Sequence, residues 1–409
     1  MTNTLIESIP LARRAAPLAP ALPAGGPPGS IAFDSGHASP LVLPDLTREA
    51  HLALTQYRAE TLQYAARAGL PDLRRWIAEY MQAEGASVAP ENVLVTNGAK
   101  HALELVCRAL LDDGDAVVVT APTYFSAIPI LRSYGASFVE VPQDRDGMDV
   151  DALAAILDRR EREGRPRPKF IYDVPDFHNP TGATLPLERR QALIGLAARH
   201  RIAVVEDSPY RKVRFVGDSV PSLASLDHDG GVIHLGTFAK LMAPGLRVGW
   251  LAAPSSLVAR MALLKTDAGS CPLTQRIILE FCTTGGRLPS HIDDVQERYR
   301  VNRDRMVAAL HRELPNVKFE VPDGGYYLWL WWPEGTDADA LTLGAQREGV
   351  IVIAGSRFYA NAGAGHPRNR MRLAYSHALP DEIDEGVRRL ARAYAALAER
   401  AGVTAGAAR

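Results

Sequence analysis

Within Gly231 to Trp250, GVIHLGTFAKLMAPGLRVGW, a hydroxyl (Thr237), an amine (Lys240) and a guanidinium (Arg247) follow the short β-prone run Val232 to Leu235, and Pro244-Gly245 separates the two cations. A strand ending in this order brings an amine to a cleft and sets a hydroxyl and a guanidinium where they can hold an anion. An amine kept from water or placed beside another cation loses proton affinity and becomes a nucleophile toward carbonyls. Lys240 is therefore a candidate for Schiff-base chemistry, with Arg247 as the second cation. The same residues also suit a solvated pair flanking a turn, so the decision rests on the rest of the chain. Only six of its 46 basic residues are lysines, which makes Lys240 less of a filler charge.

Other chemically distinctive residues also follow apolar runs. Gly98 comes after NVLVT and precedes the helical HALELVCRALL, so the amides of Ala99 and Lys100 can bind an anion at a helix N-terminus. Tyr124 comes after AVVVT, offering a flat ring to a flat ligand; Asn179 heads Asn-Pro-Thr-Gly after KFIYDVPDF; Asp207 ends IAVVED, with Tyr210 in the turn beyond. Each is turn chemistry when taken alone. All of them at one edge of one sheet, together with Lys240, form a site. Gly36 lies in the Gly-rich turn of IAFDSGHASP, Tyr64 in the loop LQYAARAGL, and Arg372 in NRMRLAYS, where an inward-pointing guanidinium needs an anionic partner.

The elements that position these residues read as strand, loop and helix in alternation. NVLVT, AVVVT, SFVEV, KFIYDV, IAVVED, VIHLGT and VGWLAA are mostly continuous apolar runs, as strands covered on both faces require. The expected class is α/β: a three-layer α/β/α domain with a mostly parallel seven-stranded sheet and ligands beyond its carboxyl edge, plus a smaller α+β domain. Expected boundaries are a Pro-rich arm over 1–30, a large domain over 46–288, and a small domain made of 31–45 and 289–409. In the latter a helix from about Pro289 to Glu313 precedes VKFEVPDGGYYLWLWWP, read as strand, Gly324-Gly325 turn and strand, and Pro380 to Ala401 forms a terminal amphipathic helix.

Composition narrows the partners. A formal net charge of -1 over 409 residues offers no basic face for nucleic acid and no polybasic membrane patch, so small molecules are expected. Three cysteines without a CxxC pair fit a reducing compartment, and no metal site of usual spacing is visible. No apolar run approaches the ~18 residues that span a bilayer, and no secretory signal pattern opens the chain, so the cytoplasm is the expected compartment. No GxGxxG follows the first strand of the sheet, which argues against a dinucleotide-binding enzyme.

On NPTG at Asn179 to Gly182, the Asp207 and Tyr210 pair, and the Lys240 to Arg247 spacing through Ala-Pro-Gly-Leu, the chain resembles the fold type I pyridoxal-phosphate aminotransferases, in particular the 2-aminoadipate and kynurenine branch. The resemblance covers nearly all the chain from Ile31. It implies Lys240 as Schiff-base lysine and proton shuttle, Asp207 on the pyridine nitrogen, Asn179 and Tyr210 on the phenolic oxygen, and Tyr124 stacked on the ring. The amides of Ala99 and Lys100 beside Gly98, Thr237 and Arg247 would hold the phosphate of pyridoxal 5'-phosphate, with Tyr64 reaching over from a second subunit of a homodimer. Arg372 would take the substrate α-carboxylate and Gly36 would line the substrate side. The implied reaction is ping-pong amino transfer between an amino acid and a 2-oxo acid.

Departures from the pattern are Lys100 in place of glutamine, His178 before NPTG, Arg357 before Phe358, and Pro-rich 17–28 where relatives carry a closing helix. They lead us to expect a nonstandard donor, of specialised metabolism. The alternative on the same scaffold is a non-transaminating β-lyase, decarboxylase or amino-acid oxidase, since site and not fold sets the reaction.

Overall fold

The computed structural model describes residues 26–361, 363 and 365–400 together with 9, 10, 12 and 14. Most of the expected Pro-rich arm therefore lies outside the described residues.

All seven expected strands form and share one sheet. Its order runs Val93–Thr96, Gly249–Ala252, Val232–Thr237, Ala203–Asp207, Phe170–Asp173, Ala116–Ala121, Ser137–Asp144 and Gly147–Met148. The middle of the sheet, from Val232–Thr237 to Ser137–Asp144, is parallel throughout, and the outer pairs are antiparallel. The eighth strand, Gly147–Met148, folds back on Gln143 and Asp144. At two residues it is too short to leave a periodic signal in sequence.

Every residue of Val93–Thr96, Phe170–Asp173 and Val232–Thr237 is buried, because helices cover both faces and only apolar or internally bonded side chains are tolerated there. Helix Ala99–Leu110 buries Ala102, Leu103, Leu105, Val106 and Cys107, an amphipathic stripe facing the sheet. Helix Val150–Arg162 starts where the Asp149 side chain accepts from the Ala152 amide at 2.9 Å, and it ends with Arg159, Arg160 and Arg162 beside its carbonyl terminus.

The C-terminal region carries a three-stranded sheet, Tyr327–Trp331, Arg370–Ala374 and Ile353–Ala354. Ile31–Ala32 pairs in parallel with Val350–Ile351. Helix Arg287–Glu313 runs 27 residues and helix Pro380–Arg400 packs against it. One expectation fails here. VKFEV forms no strand, only the isolated bridge between Lys318 and Trp331. The chain is drawn away by Gly324 and Gly325, whose backbones meet Arg214 and Val213; the Gly325 amide donates to the Val213 carbonyl at 2.7 Å. A Cβ on either glycine would collide with the Phe177 side chain, so only glycine permits this approach.

Candidate active site

The parallel strands deliver their carboxyl ends to one side, as open α/β sheets do. Asp207 and Thr237 are the last residues of their strands, and Tyr124 and Asn179 follow the ends of theirs. These four line one cavity of about 510 Å³ with Gly36, Gly98, Ala99, Lys100, Tyr210, Lys240, Arg247 and Arg372. Of the site residues expected from sequence, only Tyr64 is missing. Its ring is 84% exposed in the loop after helix Arg58–Thr61.

One end of the cavity is built for an anion. Gly98 takes a positive φ of 87° at the start of helix Ala99–Leu110, whose backbone bonds begin with the His101 and Ala102 amides on the Gly98 carbonyl. The Ala99 and Lys100 amides precede them and face the helix entry, where the dipole favours negative charge. Arg247 also adopts the left-handed conformation, φ 54°, which costs a non-glycine residue about 1 kcal/mol. Its Nη2 donates to the Asn97 carbonyl at 3.2 Å, which docks the guanidinium against the same turn. A Cβ at Gly98 would lie 3.0 Å from that Nη2, and one at Gly249 would sit 2.9 Å from the Ala99 nitrogen, so both glycines keep this cup open.

Asp207 is 5% exposed. Its Oδ2 accepts the Tyr172 hydroxyl at 2.7 Å, whereas Oδ1 is buried with no partner. Burial pushes the carboxyl up to about 6, against the Tyr172 hydrogen bond and the charges of His234 and Lys100. An orphaned buried carboxylate oxygen is costly, and since Asp207 lines the cavity a ligand N–H is a suitable partner for it.

Lys240 sits in the short helix Phe238–Leu241, whose start is capped by Thr237 Oγ1 accepting from the Ala239 amide at 3.1 Å. Its Nζ donates to the Gly36 carbonyl and lies 4.7 Å from the centre of the Tyr326 ring. Desolvation first, then the charges of Arg372, Lys100 and Arg247, bring its pKa from 10.5 down to about 7. Of these charges that of Arg247, the second cation expected from sequence, acts least.

Arg372 is 1% exposed, so it points inward. Nη1 donates to Asn179 Oδ1 at 2.9 Å, Nη2 donates to the Asp34 carbonyl, and Nε has no partner. Tyr327 packs under the guanidinium at 4.2 Å, with Phe358 and Phe125 at 5.2 and 5.5 Å. The aromatic walls hold the fork flat and the free N–H groups remain for a carboxylate.

Several cavity residues escaped the reading of the sequence. Tyr327 donates to or accepts from Tyr210 at 3.1 Å and lies where a Gly36 side chain would be, which explains the glycine. Asp34 and His37 line the wall near Gly36; burial raises the Asp34 carboxyl, and burial with His377 and Lys240 lowers the His37 imidazole. Tyr172 could have been suspected, since a hydroxyl inside a four-residue buried strand needs a partner. His178, flagged as unusual, lies outside the cavity wall between Thr120 Oγ1 at 3.0 Å and Thr181 Oγ1 at 3.2 Å. Among the described residues no group of His, Cys, Asp and Glu is arranged to hold a metal, and no helix is long and apolar enough to cross a membrane.

Residues 30–390 match the family model described as aminotransferase class I and II. The chain is 35% identical over 353 residues to the aromatic-amino-acid aminotransferase 1 of Thermococcus litoralis, covering 86% of this chain and 83% of that protein. It is 35% identical over 374 residues to the 2-aminoadipate transaminase of Thermus thermophilus, 90% of each being covered. The solved kynurenine aminotransferase of Pyrococcus horikoshii, in complex with PMP and kynurenine, superposes with a TM-score of 0.85 at 32% identity, over 90% of this chain and 91% of the other.

Proposed function

The chain belongs to the class I and II aminotransferases and is a pyridoxal-phosphate-dependent enzyme acting on amino acids, and from that premise we propose a role for each wall of its cavity. When bound, pyridoxal phosphate supplies an aldehyde for the donor's amino group and an electron sink for the pair left at the α-carbon. The Ala99 and Lys100 amides, the Thr237 hydroxyl and Arg247 hold its phosphate beside Gly98. Asp207 would serve the ring nitrogen through Oδ1, Tyr124 would stack on the ring, and Asn179 and Tyr210 would bond the phenolic oxygen.

Arg372 takes the α-carboxylate of the amino acid or 2-oxo acid, and Asn179, bonded to Nη1, links that contact to the cofactor side. Lys240 is the residue whose amine would hold the cofactor through its aldehyde. Its free amine would serve as the base that moves the proton from the α-carbon, a task for which a pKa near 7 is well matched. Gly36 leaves the substrate side free of a side chain and accepts the Lys240 ammonium at its carbonyl.

The observation that carries this reading is the unpartnered Asp207 Oδ1 on the same cavity as a lysine amine brought down to about 7. The relatives support amino transfer over lyase, decarboxylase or oxidase chemistry, because the three described above are each named for it. The active form is a homodimer in which Tyr64 of the partner subunit reaches the phosphate; supporting this, Tyr64 is exposed and absent from its own chain's cavity. Purified protein incubated with a donor panel and 2-oxo acids tests the function: a new amino acid formed one-for-one with a new 2-oxo acid is expected, while ammonia or carbon dioxide as product would overturn it.

A further inference from the structure

Behind the wall of the cavity, Tyr172 and Asp207 lie on adjacent parallel strands, with Tyr172 aligned to Val205 and Asp207 two residues farther along on the same face. Tyr172 is fully buried and its hydroxyl reaches Asp207 Oδ2 at 2.7 Å. Among the described residues no donor reaches Oδ1. The carboxylate thus has one oxygen tied to the sheet and one without a partner, on a residue that lines the cavity. We propose that Tyr172 is a positioning residue for the cofactor, its phenol fixing the rotation of the Asp207 carboxylate so that Oδ1 meets the ring nitrogen. This rests on the reading of Asp207 as the ring-nitrogen partner.

Two physical features support it. A carboxylate free to turn about its last bond would present its oxygens with equal weight to cavity and sheet, whereas a 2.7 Å bond to one oxygen removes that freedom before the cofactor arrives. The phenol also stays a donor: burial and the neighbouring Asp207 charge raise its pKa well above 10, so it does not give its proton away. Its hydrogen bond is what most opposes the burial that favours a neutral Asp207. A neutral carboxyl would leave the ring nitrogen without its counter-charge.

The test compares the apoprotein of wild type and Tyr172→Phe for affinity toward pyridoxal phosphate and toward its carba analogue, in which C–H replaces the ring nitrogen. Phe keeps the ring and its packing. The expected result is a loss of about tenfold for pyridoxal phosphate and less than about twofold for the analogue, as removal of a bond to a charged acceptor predicts. Equal losses for both compounds, or none for either, would overturn the proposal, since a structural tyrosine does not distinguish them. Should Phe not fold, Tyr172→Met goes through the same comparison with the same expectations. A wild-type protein that binds both compounds equally would instead remove the Asp207 reading beneath it.

Discussion

Replacing Arg372 by lysine keeps the charge and removes the fork. In the wild type the guanidinium is held by Asn179 Oδ1 at 2.9 Å, by the Asp34 carbonyl and by the Tyr327 face at 4.2 Å, so its remaining N–H groups meet a carboxylate without reorganising. Lysine offers one point donor on a flexible stem. The variant forfeits at least one of two bonds to the carboxylate, each worth about 1.5–3 kcal/mol when one partner is charged. At about 1.4 kcal/mol per tenfold, that is a fall of roughly 10- to 150-fold in kcat/KM. The assay is steady-state kcat/KM for amino acid donors beside primary amines that lack the carboxylate. Arg372→Lys should leave the amines within about threefold of wild type, because their binding never used the fork. Loss of amines and amino acids by the same factor, or amino acid activity within about threefold of wild type, would refute the assignment of Arg372.

Other consequences are open to test. In the apoprotein, carbonyl reagents should modify Lys240 at a rate that rises through about pH 7 and then levels off, since its neutral amine appears above a pKa lowered by burial and by Arg372, Lys100 and Arg247; a rise near the ordinary 10.5 would contradict this. His178 is fully buried and held neutral with a pKa near 3, against 6.5 when unfolded, so its stabilising balance is intact above pH 6.5 and is lost as pH falls toward 3. His178→Gln should therefore gain on wild type by about 2 kcal/mol between neutral pH and pH 5 in denaturant titrations, and parallel curves would count against it. Asp176→Asn strips a partner from Arg190, which is fully buried and bonded to Asp176 Oδ1 at 2.7 Å; urea unfolding should show a loss of about 3–5 kcal/mol, and a loss below about 1 would show that the carbonyls of Leu185, Pro175 and Pro221 suffice.

What could be read from the sequence was local. The strand ends were marked by apolar runs such as Val232 to Leu235, and the chemistry-bearing residue came directly after each run, so Asp207, Thr237, Asn179 and Lys240 could be placed without knowing how the strands were ordered. What could not be read depends on contacts distant along the chain. Tyr327 meets Tyr210 and Arg372 only because Arg370–Ala374 pairs with Tyr327–Trp331 and swings both over the large sheet. Phe358 enters the same cluster through a 3-10 turn after Ile353–Ala354. VKFEV alternates like a strand, yet the glycines after it answer to Phe177 and Val213 rather than to a hairpin partner. Burial also decided matters on which residue type was silent: an arginine within a strand does not tell which way it points, and the 1% exposure of Arg372 fixes it inside.

The central claim is that Lys240 carries the cofactor. Borohydride reduction of the holoenzyme followed by peptide mass mapping tests it most directly, because the reduced bond survives digestion. The account predicts the phosphopyridoxyl mass on the peptide containing Lys240, and its disappearance when the enzyme is first converted by a donor amino acid without a 2-oxo acid. Label on any of the other five lysines, Lys100 above all, or a label on Lys240 that the donor does not displace, would contradict it.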